Sequence, residues 1–196
     1  MNMKKIALDK TFTLESVGEL KSLIGKKLLS IHHDEFLTGN LSIQKVGIFA
    51  DDQVYVLAAN YEETDFLWGK EGVTQLRFGN CREEELVVKA VPPIKYVNEK
   101  INARIRDIWI IRDCIEEFNG RNSMGKFVYD KGIVLILDGK QVGIWLDSWM
   151  GEIFSIVRSK NALEKMQTIE QEWSNKELES EYHFEVKRTF LPVGSF

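Results

Sequence analysis

The stretch Lys131-Gly132-Ile133-Val134-Leu135-Ile136-Leu137-Asp138-Gly139-Lys140-Gln141-Val142-Gly143-Ile144-Trp145-Leu146 decides the fold. Two apolar runs, Lys131 to Leu137 and Gln141 to Leu146, flank the dipeptide Asp138-Gly139. Asp-Gly in that setting is a strong hairpin signal, because the tight turn between paired strands needs positive φ at its centre. Upstream, Arg104 to Ile111 reads as a strand that is apolar on both faces around Ile108, Trp109, Ile110 and Ile111. Downstream, Ile153 to Val157 follows, and Phe184 to Phe190 ends near Pro192. Proline cannot donate to a sheet ladder, so it marks the end of the run.

The first half of the chain repeats this order. Leu28 to His33 alternates as a half-buried strand, and Val46 to Ala50, Asp51-Asp52-Gln53 and Val54 to Ala59 form a hairpin with acidic turn chemistry. Val73 to Phe78 and Leu86 to Val91 read as further strands, closed by Pro92-Pro93. Residues align between the halves: Val46-Gly47-Ile48 with Lys131-Gly132-Ile133, His33-Asp34 with Arg112-Asp113, and Val88-Lys89 with Val186-Lys187. Asn60-Tyr61 and Phe66-Leu67 align with Asp147-Ser148 and Ile153-Phe154 at one offset. The expected fold class is therefore α+β, predominantly antiparallel β. It comprises two related β-meander units, 26–93 and 104–192, within a single cooperative body over 1–196.

Two helices complete the expectation. Residues 13 to 24 carry Leu14, Val17, Leu20 and Leu23 at helical spacing, with Gly25 as a stop. A second helix, inserted at about 162–178, carries Ala162, Met166, Ile169 and Trp173 on one stripe, with Asn161 and Glu164 arranged as a capping box.

Composition removes several classes of function. The 196 residues are 44% hydrophobic and 29% charged, which describes a globular chain rather than a disordered one. Net charge is -4, and both halves share the acidic balance, so nucleic acid and anionic membranes are not expected partners. Cys81 and Cys114 are spaced neither as zinc ligands nor as a disulfide framework. Met1 to Lys10 has no long apolar run, and the longest apolar stretches, such as Ile133 to Leu137, are too short to span a bilayer. The chain reads as cytoplasmic.

The motifs that resemble chemistry lack their context. Gly120-Arg121-Asn122-Ser123-Met124-Gly125-Lys126 fits seven positions of a phosphate-binding loop, but Phe127 replaces the magnesium-holding hydroxyl. The β-prone Phe127-Val128-Tyr129 cannot open the helix that such a loop needs. Ser123-Met124-Gly125-Lys126 spells S-x-x-K, whose chemistry requires a helical turn between Ser and Lys. His32-His33-Asp34-Glu35 is the densest set of metal-ligand types, yet on a strand it splits two and two between opposite faces. Carboxylate pairs such as Glu116-Glu117 are expected by chance among thirty acids. No catalytic residue, metal or cofactor is assigned.

Aromatic residues in polar loops remain. Trp109, Trp145 and Trp173 sit in periodic apolar patterns and belong to the core. Trp68 and Trp149 lie beside turn residues, Tyr61 precedes the acidic stretch Glu62-Glu63, and these three are the candidate partner-binding residues. Such side chains serve either as interface anchors or as covers over a sheet edge. The sequence thus reads as a non-catalytic protein that recognises another protein, possessing the small acidic globule typical of enzyme-neutralising immunity proteins. The alternative is an enzyme or small-ligand-binding protein with a site between the two units.

Overall fold

The computed structural model describes residues 6–34, 41–66, 69–87, 96–173 and 182–196. Among these residues, eleven strands join one hydrogen-bonded network: β1 (Ile6–Lys10), β2 (Lys27–Asp34), β3 (Leu41–Ile43), β4 (Lys45–Ala50), β5 (Gln53–Phe66), β6 (Gly69–Asn80), β7 (Tyr96–Asn119), β8 (Asn122–Leu137), β9 (Lys140–Leu146), β10 (Ile153–Ser159) and β11 (Tyr182–Pro192). The fold is predominantly antiparallel β, as expected. The one parallel pair among the described residues joins β1 to the first half of β8.

The strand order is β3-β10-β9-β8-β7-β2-β4-β5-β6. A single residue, Gln44 with φ 61°, separates β3 from β4, so the path returns to the chain segment where it began. The sheet therefore closes on itself. At the seam the Gln44 N–H donates to the Glu152 carbonyl at 2.6 Å, and the Ala59 N–H donates to the Gln44 carbonyl at 2.8 Å. Asp34, 1% exposed, locks the bend by accepting the Ile43 N–H at 2.6 Å.

Two strands run much longer than their apolar cores. β7 pairs with β2 over its first part, then with β8 on one side and β11 on the other. β8 pairs with β1 and then β9. The interior holds Leu28, Ile31, Ile48, Leu57, Ile110, Ile133, Ile144 and Phe154, all fully buried.

Helix α1 (Leu14–Ser22) closes one end. Thr13 caps it by accepting the Ser16 N–H at 3.2 Å, and Val17, Leu20 and Leu23 are buried. Leu14, expected on the buried stripe, is 87% exposed. The helix also shields β6, the last strand of the path, because Ser16 Oγ accepts the Phe78 N–H at 3.1 Å.

Two expectations change. Leu86 closes a 3₁₀ turn (Glu83–Leu86) instead of opening a strand, and residues 88–95 lie outside the described residues. The inserted helix is broken. A 3₁₀ turn spans Leu163–Lys165, Met166 is extended with ψ 138°, and α2 covers only Ile169–Trp173 before the described residues end. The reason is a true capping box further along: Thr168 Oγ accepts the Gln171 N–H at 3.2 Å, and Gln171 Oε1 accepts the Thr168 N–H at 3.0 Å. Ala162 and Met166 are still buried, against Ile111, Val134 and Trp145 on the outer face of the sheet.

Candidate functional site

The far end of the β5–β6 ribbon gathers two of the three aromatic candidates. Tyr61 pairs with Thr74 across the ribbon, and the Thr74 N–H donates to the Trp149 carbonyl at 3.0 Å. Thr74 Oγ1 donates to the Gly151 carbonyl at 2.8 Å. The loop 148–151 thus covers an edge of β6 with backbone hydrogen bonds. Tyr61 itself is 50% exposed and lies across Gly72, where a Cβ would meet its ring. Exposed Glu62, Glu63 and Asp65 flank it, and Lys10 forms an ion pair with Glu62. Met150, 48% exposed, stands on the covering loop.

Trp149 sits on the same loop as Met150. It is half-buried, with its ring tilted against Phe127 at 5.3 Å between centroids. It packs on a small second core of Val73, Ile115, Phe127 and Tyr129. Of the two uses open to it, edge cover is the one this geometry serves. Trp149→Ala should cost about 2 kcal/mol, below the roughly 3–5 kcal/mol of a fully buried tryptophan. Chemical denaturation measures it, and a loss under about 0.5 kcal/mol would mean that the indole only decorates the surface. Trp68 lies outside the described residues.

The remaining motifs resolve into structural positions. Gly120, φ 58°, and Arg121 turn the β7–β8 hairpin, and Ser123 to Lys126 continue as strand. Ser123 Oγ donates to Glu116 Oε1 at 2.5 Å. His33, 3% exposed, holds its Nδ1 by the Asp34 carbonyl at 2.8 Å and its Nε2 by Arg158 Nη2 at 3.1 Å, and Arg158 also pairs with Glu99. His32 stacks on Tyr96 at 5.1 Å. Burial pushes its pKa below the usual histidine value, and its two ring nitrogens are buried with no hydrogen-bond partner among the described residues. Among the described residues no three His, Cys, Asp or Glu side chains group as metal ligands.

The charged centre of the molecule was not legible in the sequence. Asp113 is fully buried, and Arg188 donates to it twice, Nε to Oδ1 at 2.7 Å and Nη2 to Oδ2 at 2.6 Å. Arg188 Nη2 also donates to Glu172 Oε2 at 2.7 Å, and Glu172 pairs with the nearly buried Lys131. Tyr129 points its hydroxyl at Asp113, and burial together with that carboxylate holds its pKa well above the usual phenol value. A second buried pair joins Arg112 to Asp130, whose pKa burial raises. A polar cleft of about 460 Å³ opens beside Lys131 and Glu172, next to Asp147, Ser155 and Lys165. These ion pairs satisfy one another and tie α2 to β7, β8 and β11. No helix among the described residues is long and apolar enough to cross a membrane. No protein-family model, curated protein or solved structure matches the chain, so the reading of its function rests on its own side chains.

Proposed function

We propose that the chain is a non-catalytic binding protein that recognises a protein partner through the acidic, aromatic-bearing end of the β5–β6 ribbon. The observation that carries this reading is Tyr61, half exposed on a regular strand among Glu62, Glu63 and Asp65, with exposed Met150 on the loop docked against the same ribbon. A tyrosine on a rigid strand offers contact area at small entropic cost, and the surrounding carboxylates favour a basic partner. A cytoplasmic location is part of the proposal and agrees with two free thiols at Cys81 and Cys114.

The same proposal takes the two meanders as related units. β2-β4-β5-β6 and β7-β8-β9-β10 follow one order. Ile31 pairs with Ile48 and His32 with Gly47, as Ile110 pairs with Ile133 and Ile111 with Gly132. Leu57 pairs with Phe78 as Leu146 pairs with Phe154. This register favours the correspondence of His33-Asp34 with Arg112-Asp113. It opposes the offset through Asn60 and Asp147, because Phe154 then corresponds to Phe78 instead of Leu67.

Site-specific photocrosslinking in cells tests the recognition surface. A crosslinker at position 61 or 150 should give one discrete protein adduct, and one at Ile24, exposed two residues before Lys26, whose ammonium reaches Gln53 at the opposite end of β5, should not. Tyr61→Ala should change stability by no more than about 0.5 kcal/mol. It should reduce the adduct from position 150 by about tenfold or more, as expected for an anchor. Equal labelling from all three positions, or none, would remove this surface.

A further inference from the structure

We infer a second site, an anion-binding groove where the first meander meets the second, suited to a small ligand carrying phosphate groups. The groove has a volume of about 560 Å³ and is lined by Lys27 on β2, Ile101, Asn102 and Arg104 on β7, and Asp138 and Lys140 at the β8–β9 turn. Its volume falls within the roughly 300–1,000 Å³ of small-molecule pockets.

Its charge is not what the fold alone requires. Lys27 and Arg104 are direct cross-strand partners, and like charges so placed repel. Both are exposed, and among the described residues neither makes a salt bridge. The Asp51 carboxylate, which accepts the Lys27 backbone N–H at 3.1 Å, lies outside the groove lining. Asp138, the single acid in the lining, is engaged by Arg106 Nε at 2.5 Å. Lys140 Nζ is directed to the Ile101 carbonyl at 3.3 Å, inside the groove. Three cations, Lys27, Arg104 and Lys140, thus line the groove with a single acid, Asp138, that Arg106 already pairs, in a chain of net charge -4.

The backbone is shaped for the same place. Asn102 takes φ 53°, the left-handed region, and the β2–β7 ladder slips there, with Leu28 opposite Ala103 but Ser30 opposite Lys100. This bulge re-aims the strand beside the three cations. A guanidinium offers a planar fork to phosphate oxygens, and two ammonium groups add unoriented charge. The acidic balance of the rest of the surface opposes a long polyanion and leaves a small one as the fitting ligand.

Calorimetric titration with inorganic pyrophosphate, at fixed ionic strength and without divalent metal, tests the site. Saturable 1:1 binding is expected. Lys27→Gln and Arg104→Gln should each weaken it by about tenfold or more, while the ligand-free variants melt at the same or a higher temperature because a repulsion has been relieved. Lys126→Ala, in the β7–β8 hairpin arm, should leave binding unchanged. The site is overturned by binding that does not saturate, that survives both substitutions, or that is lost in Lys126→Ala. It is equally overturned if the ligand-free variants melt lower, which would make the cations structural. Tighter binding of citrate would reject the phosphate assignment, and tighter binding of a single-stranded RNA through Arg104 would reject the small ligand.

Discussion

Asp113→Ala should destabilise the protein by about 3–5 kcal/mol, the range for breaking a buried ion pair from one side. Asp113 is fully buried, and Arg188, 6% exposed at its side chain, spends two donors on it. Without Asp113 the guanidinium retains Glu172, but that carboxylate also serves the Lys131 ammonium, 3% exposed. Two nearly buried cations would then share one anion, and the Tyr129 hydroxyl would lose its acceptor. Because α2 meets β7, β8 and β11 through this cluster, the loss should also loosen the segment whose Ala162 and Met166 cover Trp145. Urea denaturation gives the magnitude. Replacing both partners, Asp113→Ala with Arg188→Leu, should cost less than the sum of the single changes, since no unpaired charge remains. An Asp113→Ala cost under about 1 kcal/mol would show that water reaches the guanidinium and that the cluster is not the buried lock described here.

That cluster also marks the limit of what the sequence discloses. Hairpin patterns are local, and they located β4, β9 and the facing parts of β5 and β8, as helical spacing located α1, but β5 runs on to Phe66 and β8 begins at Asn122. A charged residue in an alternating strand reads as surface, because its partner is invisible. Asp113 meets Arg188 75 positions away, and Lys131 meets Glu172 41 positions away. The joining of β11 to β7 and the parallel pairing of β1 with β8 are likewise choices between distant segments. The inserted helix failed for a different reason. Ala162 and Met166 are apolar at helical spacing because they cover Ile111 and Trp145, and an extended residue at Met166 serves that contact as well as a helix would. Thr168-Ile169-Glu170-Gln171 carried a legible start signal, which places the helix seven residues later than Asn161 does. At the aromatic corner the sequence read Trp149 as a residue beside a turn, which is where the loop 148–151 holds it, whereas Tyr61 stands within β5. Exposure of the indole depended on whether Phe127 faced it, and no spacing rule reports that.

Gly132→Ala should cost about 3 kcal/mol, at the upper end for overpacking a well-filled interior. Gly132 pairs with Ile111 on one side and Trp145 on the other. A Cβ there would lie 2.3 Å from the Ile144 carbonyl oxygen and 2.5 Å from Trp145 Cα, and neither can rotate away. Relief requires β8 and β9 to separate at the centre of the closed sheet, where Ile133 and Ile144 are fully buried. Gly47 is likewise flanked on both sides, by His32 of β2 and Val56 of β5. Its nearest obstacle is Leu86 Cδ1 at 2.6 Å, the end of a side chain on a short 3₁₀ turn. Leu86 can shift, so Gly47→Ala should cost only about 1 kcal/mol. Urea midpoints of the two variants should therefore fall in that order. A tolerated Gly132→Ala would mean that β8 and β9 are not in the tight register drawn between Gly132 and Trp145. Equal costs at the two glycines would instead mean that Leu86 is as fixed as a strand backbone, which would make the turn at 83–86 part of the rigid frame of the first meander.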